Sequence, residues 1–509
     1  PNPGFDAVVG NPPWEEVTVE ARSFYALHRP GIRRGLSEVA RDAVVAQLIA
    51  ERPDLPGKLA AEREHVARQR TYLAAAEYPP MSGDPDLSKY FCQRYRTLLR
   101  DGGVLGVVLP RTTFVNQGSR DFRAWLFERT ACERIDFLIN RGRWAFDTHP
   151  QYTVALVAAR KDTPGEDHHV RIAGTATSLT DWLEQADSPG LACAQRSFGH
   201  DWRPPLLRSQ VEADILAKVR QGTRFPRGSG GRWRCFPVRE LDETNDRELW
   251  HRAESGWPLW KGESFDQYDP HGRAGRLCPR NDSVRKKVEK PRPGAGSLLA
   301  AELPVAVRRE AVRTEIGRAR VVFNDVTQKD NSRTVIGCLV PPKTFLTNKA
   351  PYLVFAVGDD ESRAACLGVM NSLPFDWQAR RFVEINLNFF ILEGLFVPDL
   401  DDADYAAVAE AAARLSCVDE RFADFAASVG VALGPLDDGE RERLRVEIDA
   451  RVARSWGLTP DDLAVISHDF TMNAVPAAYR ARLNRRLIEL GQPPYEAARY
   501  SWPRTGRGT

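Results

Sequence analysis

The chain has few residues that could cross-link it, and it has no long apolar run. Its eight cysteines among 509 residues are scattered without a Cys-x-x-Cys pair, which disfavours a zinc ribbon or a disulfide framework and fits a reducing compartment. No stretch approaches the ~18 consecutive apolar residues of a membrane span, and no secretory signal opens the chain. We therefore expect a cytoplasmic, globular protein with no bound metal and no membrane partner.

Charge of neither sign dominates, since the formal net charge is only +2. The basic residues nevertheless cluster between Arg203 and Arg320, as in VRKKVEKPRP and VRREAVRTEIGRARV, and acidic runs such as LDDADYAAVAEAAA follow. A basic middle favours a domain that faces a polyanion, and an ordinary solvated surface is the alternative. Because the chain exceeds the roughly 250–300 residues of a single core, we expect two or three domains.

The most specific stretch is FDAVVGNPPWEE, at residues 5–16. FDAVVG is typical of a buried parallel strand, and ligand chemistry in open α/β sheets collects beyond the carboxyl ends of such strands. Asn11 lies at that point, and Pro12 and Pro13 make a stiff loop without N–H donors. Together with the flat face of Trp14, these residues predict a pocket for a planar group with an exocyclic amine. A plain loop with a buried tryptophan is the alternative.

The Asn-Pro-Pro-aromatic order after an apolar strand resembles the catalytic motif of the amino-methyltransferases that modify adenine N6 in DNA. The resemblance implies that Asn11 Oδ1 and the Pro12 carbonyl accept the two amine protons and favour a more pyramidal nitrogen. It implies that Trp14 stacks on a base flipped out of the duplex and that Pro13 belongs to the same catalytic loop. It also implies S-adenosylmethionine as the methyl donor.

A second aromatic wall is expected in AFDTHPQYTVALV. In the resembling enzymes a phenylalanine from this loop closes the base pocket, and Phe146 matches its position. His149 and Tyr152 lie nearby and match the position less well. An ordinary core role is the alternative for Phe146.

The second half resembles the target-recognition region of large bacterial adenine methyltransferases from type IIG restriction–modification and phage-defence systems. The matching segments are WPLWKGESFDQYD, FNDVTQKDNSRTVIGCLVPP and LGVMNSLPFDWQARRFVEINLNFFILEGLFVP. The resemblance implies double-stranded DNA as the partner, held mainly through its backbone. The candidate DNA-contact residues are Arg318, Arg320, Lys329, Arg333, Arg380 and Arg381. Which of them would read a base stays open at this point.

The expected fold class is α/β. We expect a partial Rossmann-like class I methyltransferase sheet at residues 1–175, interrupted by a charged helical insertion at about 21–80. A mixed α+β target-recognition domain would span residues 176–418, and a helical carboxyl-terminal region would span residues 419–509.

One expected part is missing. The resembling enzymes bind S-adenosylmethionine through a glycine-bearing loop upstream of the Asn-Pro-Pro-aromatic motif. The glycine-rich stretch at 228–231 has no strand before it and no helix after it, so it is a poor substitute. We therefore expect most of the cofactor site to lie outside this chain, on an amino-terminal half or a companion chain. Other defence-system subunits are further candidate partners.

The leading interpretation is a site-specific DNA adenine-N6 methyltransferase of a restriction–modification or anti-phage system, inactive without its cofactor-binding part. The alternative from another class is a catalytically incomplete DNA-recognition subunit of a larger defence complex. The missing cofactor residues favour this alternative, whereas the intact Asn11–Trp14 motif disfavours it, because a pure reader needs no amine pocket. Methylation of another amine, such as a protein glutamine, is a third interpretation.

Overall fold

The computed structural model describes residues 4–32, 38–74, 78, 85–140, 142–147, 153–186, 191–198, 202–250, 253–273, 275–289, 302–328, 331–383 and 386–494. The chain forms two compact units, Pro1–Gln210 and Val211–Thr509. This division differs from the predicted boundaries after residues 175 and 418, because a further strand at Leu191–Ala194 extends the first sheet and no division falls at 418. No helix in these ranges is long and apolar enough to cross a membrane.

The first unit is built on a six-stranded mixed sheet. Its strands are β1 (Phe5–Gly10), β2 (Leu99–Pro110), β3 (Ala131–Ile139), β4 (Thr153–Arg160), β5 (His169–Ala176) and β6 (Leu191–Ala194). They lie in the order β1-β2-β4-β3-β5-β6. Strands β1, β2, β3 and β5 run in one direction, and β4 and β6 run antiparallel to their neighbours. The carboxyl ends of four strands therefore lie at the same edge of the sheet.

The sheet is held by alternating apolar side chains. In β2, Leu105, Val107 and Leu109 are buried in the core of the first unit, and the residues between them are less buried. Gly10 ends β1 where a Cβ atom would lie 2.8–3.0 Å from the Tyr95 side chain. Glycine therefore allows this strand to lie close to the Tyr95 ring of the neighbouring helix without a shift of that ring.

Helices cover the sheet and form the predicted insertion. The helices of this unit are α1 (Ala21–His28), α2 (Glu38–Glu51), α3 (Leu55–Leu73), α4 (Leu87–Leu98), α5 (Thr112–Val115), α6 (Arg120–Arg129) and α7 (Leu179–Ala186). The first three fall within the predicted insertion at 21–80 and share a small apolar core that includes Tyr25, Leu48 and Leu55. Helix α4 begins at an Asp86 cap, whose carboxylate accepts a 2.8 Å hydrogen bond from the Ser88 N–H.

The second unit contains three small sheets. Its strands are β7 (Thr223–Arg224), β8 (Arg234–Val238), β9 (Trp257–Trp260), β10 (Arg276–Cys278), β11 (Arg320–Phe323), β12 (Gly337–Val340), β13 (Phe345–Leu346), β14 (Tyr352–Val357) and β15 (Phe396–Val397). The largest sheet has the order β12-β11-β14-β8 and is antiparallel. The other two have the orders β10-β9-β13 and β15-β7.

Helices make up most of the regular secondary structure in the described part of the second unit. They are α8 (Gln210–Val219), α9 (Asp282–Val288), α10 (Val305–Glu315), α11 (Asp360–Asn371), α12 (Leu373–Arg380), α13 (Phe389–Gly394), α14 (Asp402–Ser416), α15 (Ala423–Val429), α16 (Asp438–Ser455), α17 (Pro460–Ser467) and α18 (Ala477–Glu489). After residue 419 every regular element of the described chain is a helix. Every residue of α12 is buried, so polar groups on that helix require partners inside the protein.

Candidate functional site

The predicted loop and its neighbours meet at the carboxyl edge of the first sheet. Asn11 follows β1, Arg111 follows β2 and Asn140 follows β3, and these three strands point the same way. The positions that follow parallel strands share one edge of a sheet, where α/β proteins commonly bind ligands. The sequence prediction thus concerns a place where side chains from several strands converge.

Asn11 is exposed, and its side chain makes no hydrogen bond with other residues in the described part of the chain. Pro12 behind it is buried. The loop that follows is attached to the start of α4 through its backbone, since the Val17 N–H donates to Pro85 O at 2.7 Å and the Leu87 N–H donates to Glu15 O at 3.0 Å. These bonds anchor the loop to α4 and leave the Asn11 amide exposed.

Trp14 is half-buried, so its indole is neither fully in the interior nor fully exposed. Its Nε1–H donates to the Val108 carbonyl of β2 at 3.3 Å. The indole also packs against the apolar cluster around Leu138 and Val154, near the carboxyl edge of the sheet. These contacts position the ring beside the Asn11 loop without removing it from solvent.

Phe146, the residue proposed from the sequence for the second wall, lies next to Trp14. The ring centroids are 6.3 Å apart and the ring planes are inclined by 57°. A planar base between two parallel rings would require about 7 Å, twice the ~3.5 Å of a carbon–carbon contact. In this conformation the two rings contact each other, and a base could enter between them only if they separated. His149 and Tyr152 lie outside the described residues.

The loop that carries Phe146 is held by the buried side chain of Asn140. The Asn140 Nδ2–H donates to the Phe146 carbonyl at 2.7 Å, and Oδ1 accepts the Ala145 and Phe146 N–H groups at 3.1 and 3.2 Å. The segment turns through positive φ angles at Gly142 (83°) and Arg143 (58°). A non-glycine residue at such an angle persists where the surrounding structure determines it. Asn140 is not among the residues predicted from the sequence.

Two further tryptophans line this edge of the sheet. The Trp144 Nε1–H donates to Ile139 O at 3.0 Å, and the Trp182 Nε1–H donates to Asp136 Oδ2 at 3.1 Å. Both pack into the same cluster as Trp14. Trp144 lies two residues before Phe146 and could have been suspected, whereas nothing in the local sequence points to Trp182.

The outer edge of β1 is open. Within the described part of the chain, β1 pairs with β2 alone, and its Phe5 and Val9 side chains are 62% and 83% exposed. A parallel strand with exposed apolar side chains and unpaired backbone groups is uncommon, because parallel sheets are usually covered on both faces.

Three of the predicted DNA-contact arginines are buried, and the prediction is wrong for them in this conformation. Arg320 binds Glu240 and the Thr344 carbonyl and has no exposed surface. Arg380 donates to Asp376 at 2.9 Å, and Arg381 binds Asp469. Guanidinium groups paired in the interior cannot reach a phosphate.

The remaining predicted contacts differ in their surroundings. Arg333 is half-buried and donates to Asn371 O at 2.8 Å and to Gln267 Oε1 at 3.2 Å, so it also has a supporting role. Arg318 is exposed and has no carboxylate partner among the described residues. Lys329 lies outside the described residues.

A cavity between α9 and α10 is lined by side chains of both charges, and its Arg285 and Arg313 pair with Asp282 and Glu289. The cavity has a volume of 390 Å³, and its lining includes Trp257 and Phe345. Arg280 lies over the Trp257 ring at 4.6 Å. On the two helices, Lys286 and Arg309 are exposed and make no ion pair within the described part of the chain. Unlike the buried arginines, Lys286 and Arg309 are accessible to an anion in solution.

The glycine-rich stretch at 228–231 does not offer a free phosphate cradle. The Gly230 N–H donates to Asp399 Oδ1 at 2.9 Å, and a Cβ atom on Gly228 would lie 2.6 Å from the Trp233 ring. These glycines therefore serve close packing and a contact with a carboxylate.

No protein-family profile matches the chain, and no curated protein sequence matches it. The chain is similar to the type IIL restriction–modification enzyme MmeI in complex with DNA over 95% of its own length and 56% of that chain, at 12% identity and a TM-score of 0.40. The chain is also similar to a nuclease-deletion mutant of the type ISP restriction–modification enzyme LlaGI in complex with a DNA substrate mimic. This similarity covers 81% of this chain and 41% of that chain, at 10% identity and a TM-score of 0.41.

A third similar structure is the type IIG restriction endonuclease BpuSI, with 77% of this chain and 50% of that chain covered at 12% identity and a TM-score of 0.29. The chain thus spans about half the length of these proteins. Likeness at such identities and TM-scores does not determine a function, which depends on the geometry of the site itself.

Proposed function

We propose that this chain carries the base-binding loop and the DNA-recognition region of a site-specific DNA adenine-N6 methyltransferase in a restriction–modification or phage-defence system. The observation that carries the proposal is the exposed Asn11 amide, which has no hydrogen bond to the described protein and lies on the same loop as the Trp14 ring that contacts Phe146. An amide acceptor beside an aromatic pair suits a flat substrate that carries an amine.

Asn11 and Pro12 hold the amine in this proposal. The lone pair of the adenine amine is delocalised into the ring, so N6 is a poor nucleophile. Acceptance of its two protons by Asn11 Oδ1 and the Pro12 carbonyl favours a pyramidal nitrogen whose lone pair points out of the ring plane. S-adenosylmethionine, when bound, supplies the electrophilic methyl group.

The aromatic pair forms the sides of the base pocket. Entry of a base requires the Trp14 and Phe146 rings to separate, because they are inclined and 6.3 Å apart. The base then replaces their mutual contact with its own stacking, which is worth about 1–3 kcal/mol per base on an aromatic side chain. Flipping a base out of the duplex costs a few kcal/mol, so stacking of this size offsets much of that cost.

The cofactor is assigned to residues outside the described part of the chain. The described glycine-rich stretch is occupied by Asp399 and Trp233, so it does not suit the cofactor. The open edge of β1, with its exposed Phe5 and Val9, suits additional strands that would extend the sheet. We assign those strands to an amino-terminal half or a companion chain that brings the S-adenosylmethionine site.

DNA contact is reassigned to the exposed basic surface of the second unit. Lys286, Arg309 and Arg318 are exposed without carboxylate partners among the described residues, and Arg280 stacks on Trp257. Exposed lysine and arginine side chains bind backbone phosphates and give affinity that falls as salt rises. This surface replaces the buried Arg320, Arg380 and Arg381 as the proposed site of backbone contact.

The experiment uses the complete methyltransferase with its cofactor-binding part, labelled S-adenosylmethionine and unmethylated plasmid DNA, followed by mapping of modified adenines. We expect N6-methyladenine at one recurring sequence. The variant Asn11→Ala should lose at least about 10²-fold in methyl transfer, the size seen when one polar group that stabilises a transition state is removed. Its DNA affinity should equal that of the wild type.

The matched control is Asn116→Ala. Asn116 is another exposed asparagine of the first unit, outside the candidate site, and its substitution should leave methyl transfer unchanged. Equal loss of DNA binding and methyl transfer in Asn11→Ala would assign Asn11 a structural role instead. Label in protein rather than DNA would select the third interpretation, methylation of a protein amine.

A DNA-recognition subunit without catalysis is the second candidate function. The absence of a free glycine loop among the described residues favours it. This candidate predicts sequence-specific DNA binding with no methyl transfer, even when the amino-terminal half is supplied and the cofactor is bound. The same assay therefore separates the two functions.

A further inference from the structure

We propose that Asn140 is a positioning residue that holds the Phe146 wall of the base pocket, an inference that rests on the proposed function of the Asn11 loop. Asn140 has no exposed surface, and it comes directly after β3 at the carboxyl edge of the sheet. All three hydrogen bonds that its side chain makes within the described part of the chain go to the backbone of residues 145 and 146.

Both ends of the amide are used. Oδ1 accepts two N–H groups, from Ala145 and Phe146, and Nδ2 donates to the Phe146 carbonyl. The backbone of Phe146 is therefore held on both its N–H and its C=O by one side chain. An asparagine side chain suits this task because its carboxamide carries an acceptor oxygen and a donor nitrogen on the same carbon.

Elsewhere the loop is held by hydrogen bonds that do not involve Phe146, from the Arg143 N–H to Asn140 O and from the Trp144 Nε1–H to Ile139 O, both at 3.0 Å. It turns through positive φ angles at Gly142 and Arg143, and the ion pair of Arg143 with Asp147, at 3.2 Å, lies between two exposed side chains. Surface ion pairs of this kind contribute little. The buried amide is thus the main polar group that determines where the Phe146 backbone lies.

The position of the Phe146 backbone matters because an entering base must separate the Trp14 and Phe146 rings. If the Phe146 backbone is fixed, the base displaces only side-chain torsions, and the wall keeps its place relative to Asn11. If the backbone is loose, the amine is no longer held at one distance from its acceptors. Misplacement by about 1 Å costs on the order of 10²-fold in rate.

The first test is hydrogen exchange measured by mass spectrometry on this chain. In Asn140→Ala, the peptide covering residues 142–147 should exchange faster, because the two N–H groups lose their acceptor, while peptides from β3 and β4 keep their protection. Asn140→Asp keeps the acceptor but loses the donor, so it should fall between Asn140→Ala and the wild type. Unchanged exchange in both variants would overturn the proposal. If Asn140→Ala loses protection throughout the sheet, that variant has lost its fold, and Asn140→Asp alone then tests the proposal.

The second test is a double-mutant cycle on methyl transfer by the complete enzyme. Asn140→Asp should lower kcat by about 10²-fold and leave KM for DNA within a few-fold of the wild type. In a Phe146→Ala background, Asn140→Asp should lower kcat by less than about threefold, because Asn140 acts through the Phe146 ring. Asn116→Asp, which alters an exposed asparagine, is the control.

The two tests separate this inference from the proposed function. Additive losses in the cycle would show that Asn140 does not act through Phe146 and would overturn the inference while methyl transfer stands. If the wild-type complete enzyme transfers no methyl group, the proposed function fails. The exchange measurements then still decide whether Asn140 holds the loop.

Discussion

Replacement of Arg320 by methionine distinguishes a buried structural arginine from a DNA contact. Its guanidinium group is fully buried, binds Glu240 and the Thr344 carbonyl, and lies 4.7 Å from the centre of the Tyr352 ring. Glu240 is equally buried and accepts a second hydrogen bond, 2.8 Å from the Leu346 N–H. Methionine keeps most of the side-chain volume and removes the charge.

The expected loss follows from the carboxylate that is left behind. Removal of one partner from a buried ion pair costs about 3–5 kcal/mol. Burial raises the pKa of Glu240, and Arg320 opposes that rise, so the variant should raise this pKa further. An acid whose pKa is higher in the folded state stabilises the fold at low pH and loses that contribution as the pH rises. The stability difference between the variant and the wild type should therefore become smaller as the pH falls from 7 towards about 5.

The assay is urea unfolding of the full chain at pH 7 and pH 5, followed by tryptophan fluorescence, together with DNA affinity. Since a chain of two units need not unfold in one step, the transition midpoints are compared rather than a single free energy. Arg318→Met is the matched control, and it should change stability by no more than about 0.5 kcal/mol because Arg318 is exposed. An Arg320→Met variant with wild-type stability and weakened DNA binding would refute the structural assignment.

Three further predictions concern other parts of the chain. Gly10→Ala should destabilise the first unit by about 1–3 kcal/mol, because the added Cβ would lie 2.8–3.0 Å from an aromatic side chain, whereas Gly165→Ala, which has open space around it, should be near neutral in the same thermal melt. The pair Lys286→Ala and Arg309→Ala should each reduce the slope of log affinity against log salt by about 0.9, and an unchanged slope would exclude both from phosphate contact. Burial raises the pKa of Cys278 to about 12, so this thiol should resist iodoacetamide at pH 8 until the chain is unfolded, and rapid labelling of native protein would contradict its placement.

Local chemistry explains how far the sequence could be interpreted. The Asn11 loop is determined by neighbours in the chain, since an apolar strand and two prolines dictate a stiff exit at a sheet edge whatever the rest of the fold does. The helical character of the described region after 419 follows in the same way from apolar spacing, and that of most of the described insertion follows from its many alanine, glutamate and arginine residues. The compact units divide after residue 210 and not at the predicted boundary of 175, because β6 joins the first sheet by pairing with β5, and no local pattern encodes that pairing.

By itself, the amino-acid sequence determined that an amide, a rigid carbonyl and an indole would follow one strand, because those residues are adjacent along the chain. Only the tertiary structure decided that Asn140 holds the loop of Phe146 and that Trp182 joins the same edge. It also decided that Arg320 is paired in the interior, with a partner 80 positions away. A charged side chain has the same local pattern whether it meets DNA or a buried carboxylate. Its role is determined by which distant groups the fold brings within hydrogen-bonding distance.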